Sequence, residues 1–193
     1  MAQLLKQTGP AVLITHSNSG KYGWFSGMAD PENIKAIVAY EPGACVFPED
    51  DLPTDLTPSP LAMVNDHQGP IAVSSEEFNR LTKMPILIIY GDNIAKEKSA
   101  NFNSEVWRVA SHRARQMVER INARGGDARL LILPEIGIRG NTHAPFADLN
   151  NLEIAKILEN FLHEKGLDGR KKPHQGPQPK GLTEYTIPLP LAQ

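Results

Sequence analysis

The sequence predicts an α/β fold, a mostly parallel sheet of about four strands flanked by helices. Two observations carry this. Four short apolar runs occur at residues 11–15 (AVLIT), 34–40 (IKAIVAY), 85–90 (PILIIY) and 128–133 (ARLLIL), and none alternates apolar with polar residues. Near-continuous apolar runs suit strands buried on both faces, as in a parallel sheet. Longer segments of helical periodicity lie between them, and right-handed crossovers join such elements.

Taken in order, the run at 11–15 leads into 18–29, the first predicted helix. The second predicted helix, 103–124, places Val106, Val109, Ala110, Arg113, Met117, Val118 and Ile121 on one face, and Gly125-Gly126 ends it. The third, 150–165, puts Leu152, Ala155, Ile157, Leu158, Phe161 and Leu162 largely on one side before Gly166. Residues 42–84 interrupt the pattern. Pro42, Pro48, Pro53, Pro58, Pro60 and Pro70, with Asp50-Asp51, predict a long irregular lid or loop segment. Residues 168–193 hold five prolines and the basic run Arg170-Lys171-Lys172, and are expected to form a tail after a domain at 1–167.

Composition removes several function classes. Lys plus Arg total 20 against 22 Asp plus Glu, a net charge of −2, which argues against nucleic-acid binding. No apolar run is long enough to span a membrane. The single cysteine, Cys45, excludes an intrachain disulfide and a multi-cysteine zinc site. No histidine or acidic spacing suggests a metal, and no glycine-rich phosphate loop occurs, so no cofactor is expected. Residues 1–10 lack the long apolar core of a secretory signal. Localisation is left open, with the cytoplasm as the default.

The candidate chemistry begins at Thr15-His16-Ser17-Asn18-Ser19-Gly20, directly after the first apolar run. A serine on a tight strand-to-helix turn is the geometry of a nucleophile elbow, usually written G-x-S-x-G. Here Thr15 and Ser19 occupy the small flanking positions, with Gly20 one step later. The elbow sets the serine oxygen at a helix N-terminus, where developing negative charge is favoured, and the Asn18 N–H would be an oxyanion donor. A helix-capping serine is the competing reading. His143, in Gly140-Asn141-Thr142-His143-Ala144-Pro145, follows the last run, where the base of such enzymes lies. Two carboxylates compete for the acid: Glu41, ending the second run, and Asp92, following the third. His16, Trp24 and Phe25 are candidate pocket residues, Trp24 and Phe25 also being read as packing against the sheet.

These motifs, with A-Y-E-P-G after the second run and G-N-T-H-A-P-F-A-D-L-N-N-L-E-I-A leading into the last helix, resemble the bacterial esterase 713-type branch of the α/β-hydrolases. The resemblance covers about residues 8–165. It implies a serine hydrolase acting on small-molecule carboxylic esters through an acyl-enzyme. Ser17 would be the nucleophile, His143 the base, Glu41 rather than Asp92 the acid, and Asn18 the residue giving a backbone oxyanion donor. Asp92 would then support the His143 loop.

The resemblance also implies that the chain is the C-terminal half of such a fold. Residues 3–8 would end the helix that enters the elbow strand, and the preceding strands, with the loop giving the second oxyanion donor, would be absent. The first strand would then be an exposed edge. A homo-oligomer or a complementing N-terminal half is the expected partner. The alternative function is a catalytically inactive, truncated hydrolase-like module that acts by association.

Overall fold

The protein is described by a computed structural model covering residues 1–56 and 58–169. Helix α1 (Ala2–Thr8) leads through Gly9 into β1 (Ala11–His16). A 3-10 turn, Ser17–Ser19, joins β1 to α2 (Gly20–Ala29), followed by β2 (Ile34–Tyr40). Then come β3 (Val46–Pro48), α3 (Ala62–His67), β4 (Ile71–Val73) and α4 (Ser75–Arg80). Strand β5 (Ile86–Tyr90), the long α5 (Phe102–Ala123), β6 (Ala128–Ile132) and α6 (Asn151–Glu164) complete the order.

The main sheet has the order β1-β2-β5-β6, and all three pairings are parallel. Each predicted apolar run is a strand, to within a residue at either end. Their apolar continuity follows from burial: all of β5 and all of β2 except Lys35 are buried. β1 is an edge, and its burial is only partial, with Ile14 56% exposed. Helix α5 buries all seven residues of its predicted face, and Asn101 caps it by accepting the Ser104 N–H at 3.1 Å. One core cluster joins Trp24 and Met28 of α2, Ile37 and Ile88 of the sheet, and Ala114, Met117 and Ile121 of α5.

Residues 42–84 are not an irregular segment. β3 and β4 pair in parallel, from Val46 opposite Ile71 to Pro48 opposite Val73, as a second, two-stranded sheet. Pro48 is tolerated because it ends its strand. Ser74 and Glu77 form a reciprocal capping box that starts α4. The remaining loop is strapped to α5. Arg113 donates to the Asp55 carboxylate and main-chain carbonyl, each at 2.7 Å. Ser59 Oγ donates to Glu105 Oε2 at 2.5 Å, and Arg108 to the Pro58 carbonyl at 2.8 Å. Arg120 and Arg124 hold the Asp51 carbonyl and carboxylate at 2.7 and 3.0 Å. Proline density signals a missing regular element, but not the charges that fix what replaces it.

The chain divides into two units, Met1–Pro145 and the portion from Phe146 onward. In the second, α6 buries Ile154, Ile157 and Phe161, whereas Leu152 is exposed, so its apolar stripe is rotated from the predicted one. The predicted tail at 168–193, with Arg170-Lys171-Lys172, lies outside the described residues from 170 onward.

Candidate active site

Parallel strands β1, β2 and β5 end side by side, and the turns after them build the site. Ser17 leaves β1 with φ 55, in the left-handed region. Such a conformation in a non-glycine residue costs about 1–3 kcal/mol and persists only where the surroundings enforce it. Here Ser19 Oγ accepts the His16 N–H at 2.8 Å and donates to the His16 carbonyl at 2.7 Å, and Gly43 N–H donates to the Ser17 carbonyl at 3.1 Å. A Cβ on Gly20 would lie 2.5 Å from Pro42 Cβ, so the turns after β1 and β2 touch only because residue 20 has no side chain. The Asn18 N–H lies in the first turn of the 3-10 segment, where N–H groups lack partners within the helix.

Glu41 leaves β2 in the same region, with φ 43, and is 3% exposed. A buried carboxylate needs donors, and two converge on it. Gly91 N–H donates to Oε1 at 2.6 Å, and His143 Nδ1 to Oε2 at 2.5 Å. Gly91 is required here: a Cβ would sit 2.8 Å from both Glu41 Oε1 and the Thr142 carbonyl. Tyr90, fully buried, donates to the Pro42 carbonyl at 2.6 Å, and burial raises its phenol pKa well above the ordinary value.

His143 Nε2 lies 2.9 Å from Ser17 Oγ. A carboxylate only accepts, so Nδ1 carries the ring hydrogen; Nε2 is then bare and accepts the serine hydroxyl. Ser17, His143 and Glu41 are thus joined in one hydrogen-bonded chain within the first unit. Asp92 does not reach the ring. Its Oδ2 accepts the Gly140 N–H at 3.0 Å, its Oδ1 accepts the Asn93 N–H at 2.8 Å, and its own N–H donates to the Asn141 carbonyl at 3.0 Å. The Gly140 bond first, then the Asn93 bond, lowers its pKa. Asp92 therefore anchors the main chain of the histidine loop.

Of the three expected pocket residues, Trp24 is corrected to a core residue. It is 0% exposed, inside the main cluster, and its indole N–H donates to the Ala44 carbonyl at 2.9 Å. Phe25, one step along α2, is 41% exposed. His16 does meet the site: its ring centroid is 4.6 Å from that of His143. Trp107 of α5 also touches His143, with centroids 4.2 Å apart. It also packs against the core clusters. Its helical register places it beside the buried Val106, and only the path of the histidine loop reveals the contact. Among the described residues, no group of three or more His, Cys, Asp or Glu side chains is placed to hold a metal.

An all-parallel sheet with a strand–serine–helix turn defines the protein class at the level of architecture, α/β with a hydrolase-like elbow. The comparisons narrow it. The chain is 27% identical over 192 residues to a probable secreted lipase, phiG, of Fungal sp. (strain ATCC 74256), an alignment covering 84% of this chain and 48% of the relative. It is similar to the atomic-resolution structure of a novel bacterial esterase, with a TM-score of 0.63, 27% identity, and coverage of 85% of this chain and 41% of that one. No family model matches. The chain is thus related over most of its length to α/β-hydrolase-type esterases, while spanning about half or less of these relatives.

Proposed function

We propose that this chain carries the nucleophile, base and acid of a carboxylic ester hydrolase. The carrying observation is the hydrogen-bonded chain Ser17–His143–Glu41. Ser17 Oγ attacks the ester carbonyl carbon as its proton passes to His143 Nε2. The Asn18 N–H donates to the resulting oxyanion. The tetrahedral intermediate expels the alcohol, which takes the proton from His143, and leaves an acyl-Ser17 ester. Water attacks that ester with His143 again as base, releasing the acid and restoring Ser17. Glu41 fixes the Nδ1–H tautomer and stabilises the imidazolium that forms twice per cycle.

Asp92 is a support in this reading, not the acid. The edge position of β1 supports a further strand pairing beside it. The segment that brings that strand would supply the second oxyanion donor and part of the substrate wall.

The test is intact-mass detection of labelling by a fluorophosphonate probe, with Ser17→Ala alongside. A single adduct on the wild type and none on the variant is the expected outcome. An adduct that persists in Ser17→Ala would remove Ser17 from the nucleophile role. An unlabelled wild type would show that the chain by itself has no activated serine.

A further inference from the structure

We infer that His16 is a positioning residue, whose imidazole ties the main chain of the His143 loop to the nucleophile turn. The inference deepens the proposed reaction and rests on that reading for its kinetic half only.

His16 ends β1 and caps the 3-10 turn that holds Ser17. Its main-chain N–H donates to Ser19 Oγ at 2.8 Å and its carbonyl accepts from the same hydroxyl at 2.7 Å, so the backbone of residue 16 is fixed to the turn. Its Nε2 lies 2.8 Å from the His143 carbonyl oxygen. A carbonyl only accepts, so Nε2 carries a hydrogen and donates it.

The consequence lies in what His16 connects. Its backbone is bonded into the turn that presents Ser17. Its ring ends on the carbonyl of His143 itself, the residue whose ring must reach Ser17 Oγ. Asp92 holds the same loop by Gly140 and Asn141, upstream of the histidine. His16 holds it at residue 143, and its ring also contacts the His143 ring at 4.6 Å. The Ser17–His143 separation of 2.9 Å is thus bridged twice, once through the reacting atoms and once through His16. The loop has no secondary structure of its own at residues 140–142, so individual ties such as these set its position. The role of His16 is geometric: its hydrogen bond goes to the main chain of residue 143.

Two variants test the ring bond. In His16→Gln the side-chain amide can keep a donor near the Nε2 position. His16→Phe keeps a ring and loses the bond. The first readout is the imidazole nitrogen spectrum of the whole chain labelled with nitrogen-15 histidine, with His16 assigned by the loss of its signals in the variants. The expected spectrum shows hydrogen on Nε2 of His16, and displaced His143 ring signals in His16→Phe but not in His16→Gln. This readout needs no turnover, so it decides the tie even if the proposed hydrolysis fails. The second readout is steady-state hydrolysis of a p-nitrophenyl ester. Misplacing a reacting group by about 1 Å costs on the order of 10²-fold, so His16→Phe should lower kcat by about that factor with KM little changed, and His16→Gln should restore most of it. A His16 ring without hydrogen on Nε2 would overturn the inference. So would Gln and Phe variants that behave alike in the spectrum, or a His16→Phe enzyme with unaltered kcat.

Discussion

The turns at the ends of β1 and β2 and the loop strapped onto α5 are both irregular backbone, yet they are held by opposite means. In the turns, each bond has a main-chain partner: Gly43 N–H on the Ser17 carbonyl, Gly91 N–H on the Glu41 carboxylate, Tyr90 hydroxyl on the Pro42 carbonyl, and the Glu41 N–H on the Ile89 carbonyl. On α5, the partners are charges. Arg113, with 2% side-chain exposure, pairs with Asp55, and Glu105, with none, pairs with Arg108 at 2.7 Å. Main-chain bonds at strand ends set position to tenths of an ångström and do not titrate, which suits reacting atoms. Ion pairs tolerate sliding and respond to pH and salt, which suits a covering segment.

The sharpest test of this contrast is Glu41→Gln. It leaves volume and the Gly91 bond in place but presents the wrong partner to Nδ1. Changes of this kind cost about 10⁴-fold in kcat, and kcat/KM should fall accordingly while the urea midpoint hardly moves. An unchanged rate would return the acid role to Asp92. Next is Glu105→Ala, which strands Arg108, Ser59 and the Ser99 N–H without their acceptor. Removing one member of a buried pair costs about 3–5 kcal/mol, read as a lowered unfolding free energy. Probe labelling of the molecules that stay folded should persist. Loss of labelling without loss of stability would join the two regions that the contrast separates.

Acid should weaken the strap. Arg108, then Ser59 and Ser99, bring the Glu105 pKa down to about 2, and Asp55 is also held well below the ordinary carboxylate range by Gln116, His112 and Arg113. A depressed folded pKa gives stability that is complete above the unfolded value, about 4.3 for Glu, and is lost as pH falls toward the folded one. Urea unfolding should therefore weaken steeply between roughly pH 4.3 and 2, and Glu105→Gln should flatten that slope. A slope unchanged in the variant would remove Glu105 from acid sensitivity. Gly91→Ala is expected to be milder. Overpacking costs about 1–3 kcal/mol, here by pushing Glu41 away from the Thr142 carbonyl, and should lower kcat as well as stability. The smallest effect belongs to Trp107→Leu. Loss of an aromatic contact is worth about 0.5–1.5 kcal/mol and should be seen as a modest fall in kcat.

The main-chain half of this contrast was the legible half. Apolar runs mark strands, and residues just past their ends are the ones a parallel sheet brings together, so Ser17 and both acid candidates, Glu41 and Asp92, stand out by position, with His143 on the loop after the last run. Choosing Glu41 over Asp92 could not be settled that way, because both follow strands; it needed resemblance. The strap was illegible for a physical reason. Arg113 falls on the apolar face of α5, and Asp55 lies 58 residues away in a proline-rich stretch. Nothing local links them. Ser74 and Glu77 are different, since their capping spacing stands plainly in the sequence and was masked by the surrounding prolines.

The contact between residues 20 and 42 bears on how the chain can drift. With 2.5 Å between an added Cβ and the proline ring, neither position is free to vary alone toward a larger side chain. The two are 22 positions apart in the chain, yet they behave as one heritable unit. Among descendants of this sequence, a residue other than glycine at 20 should arrive only after, or together with, a change at 42. A library randomised at both positions should return functional pairs rather than independent winners.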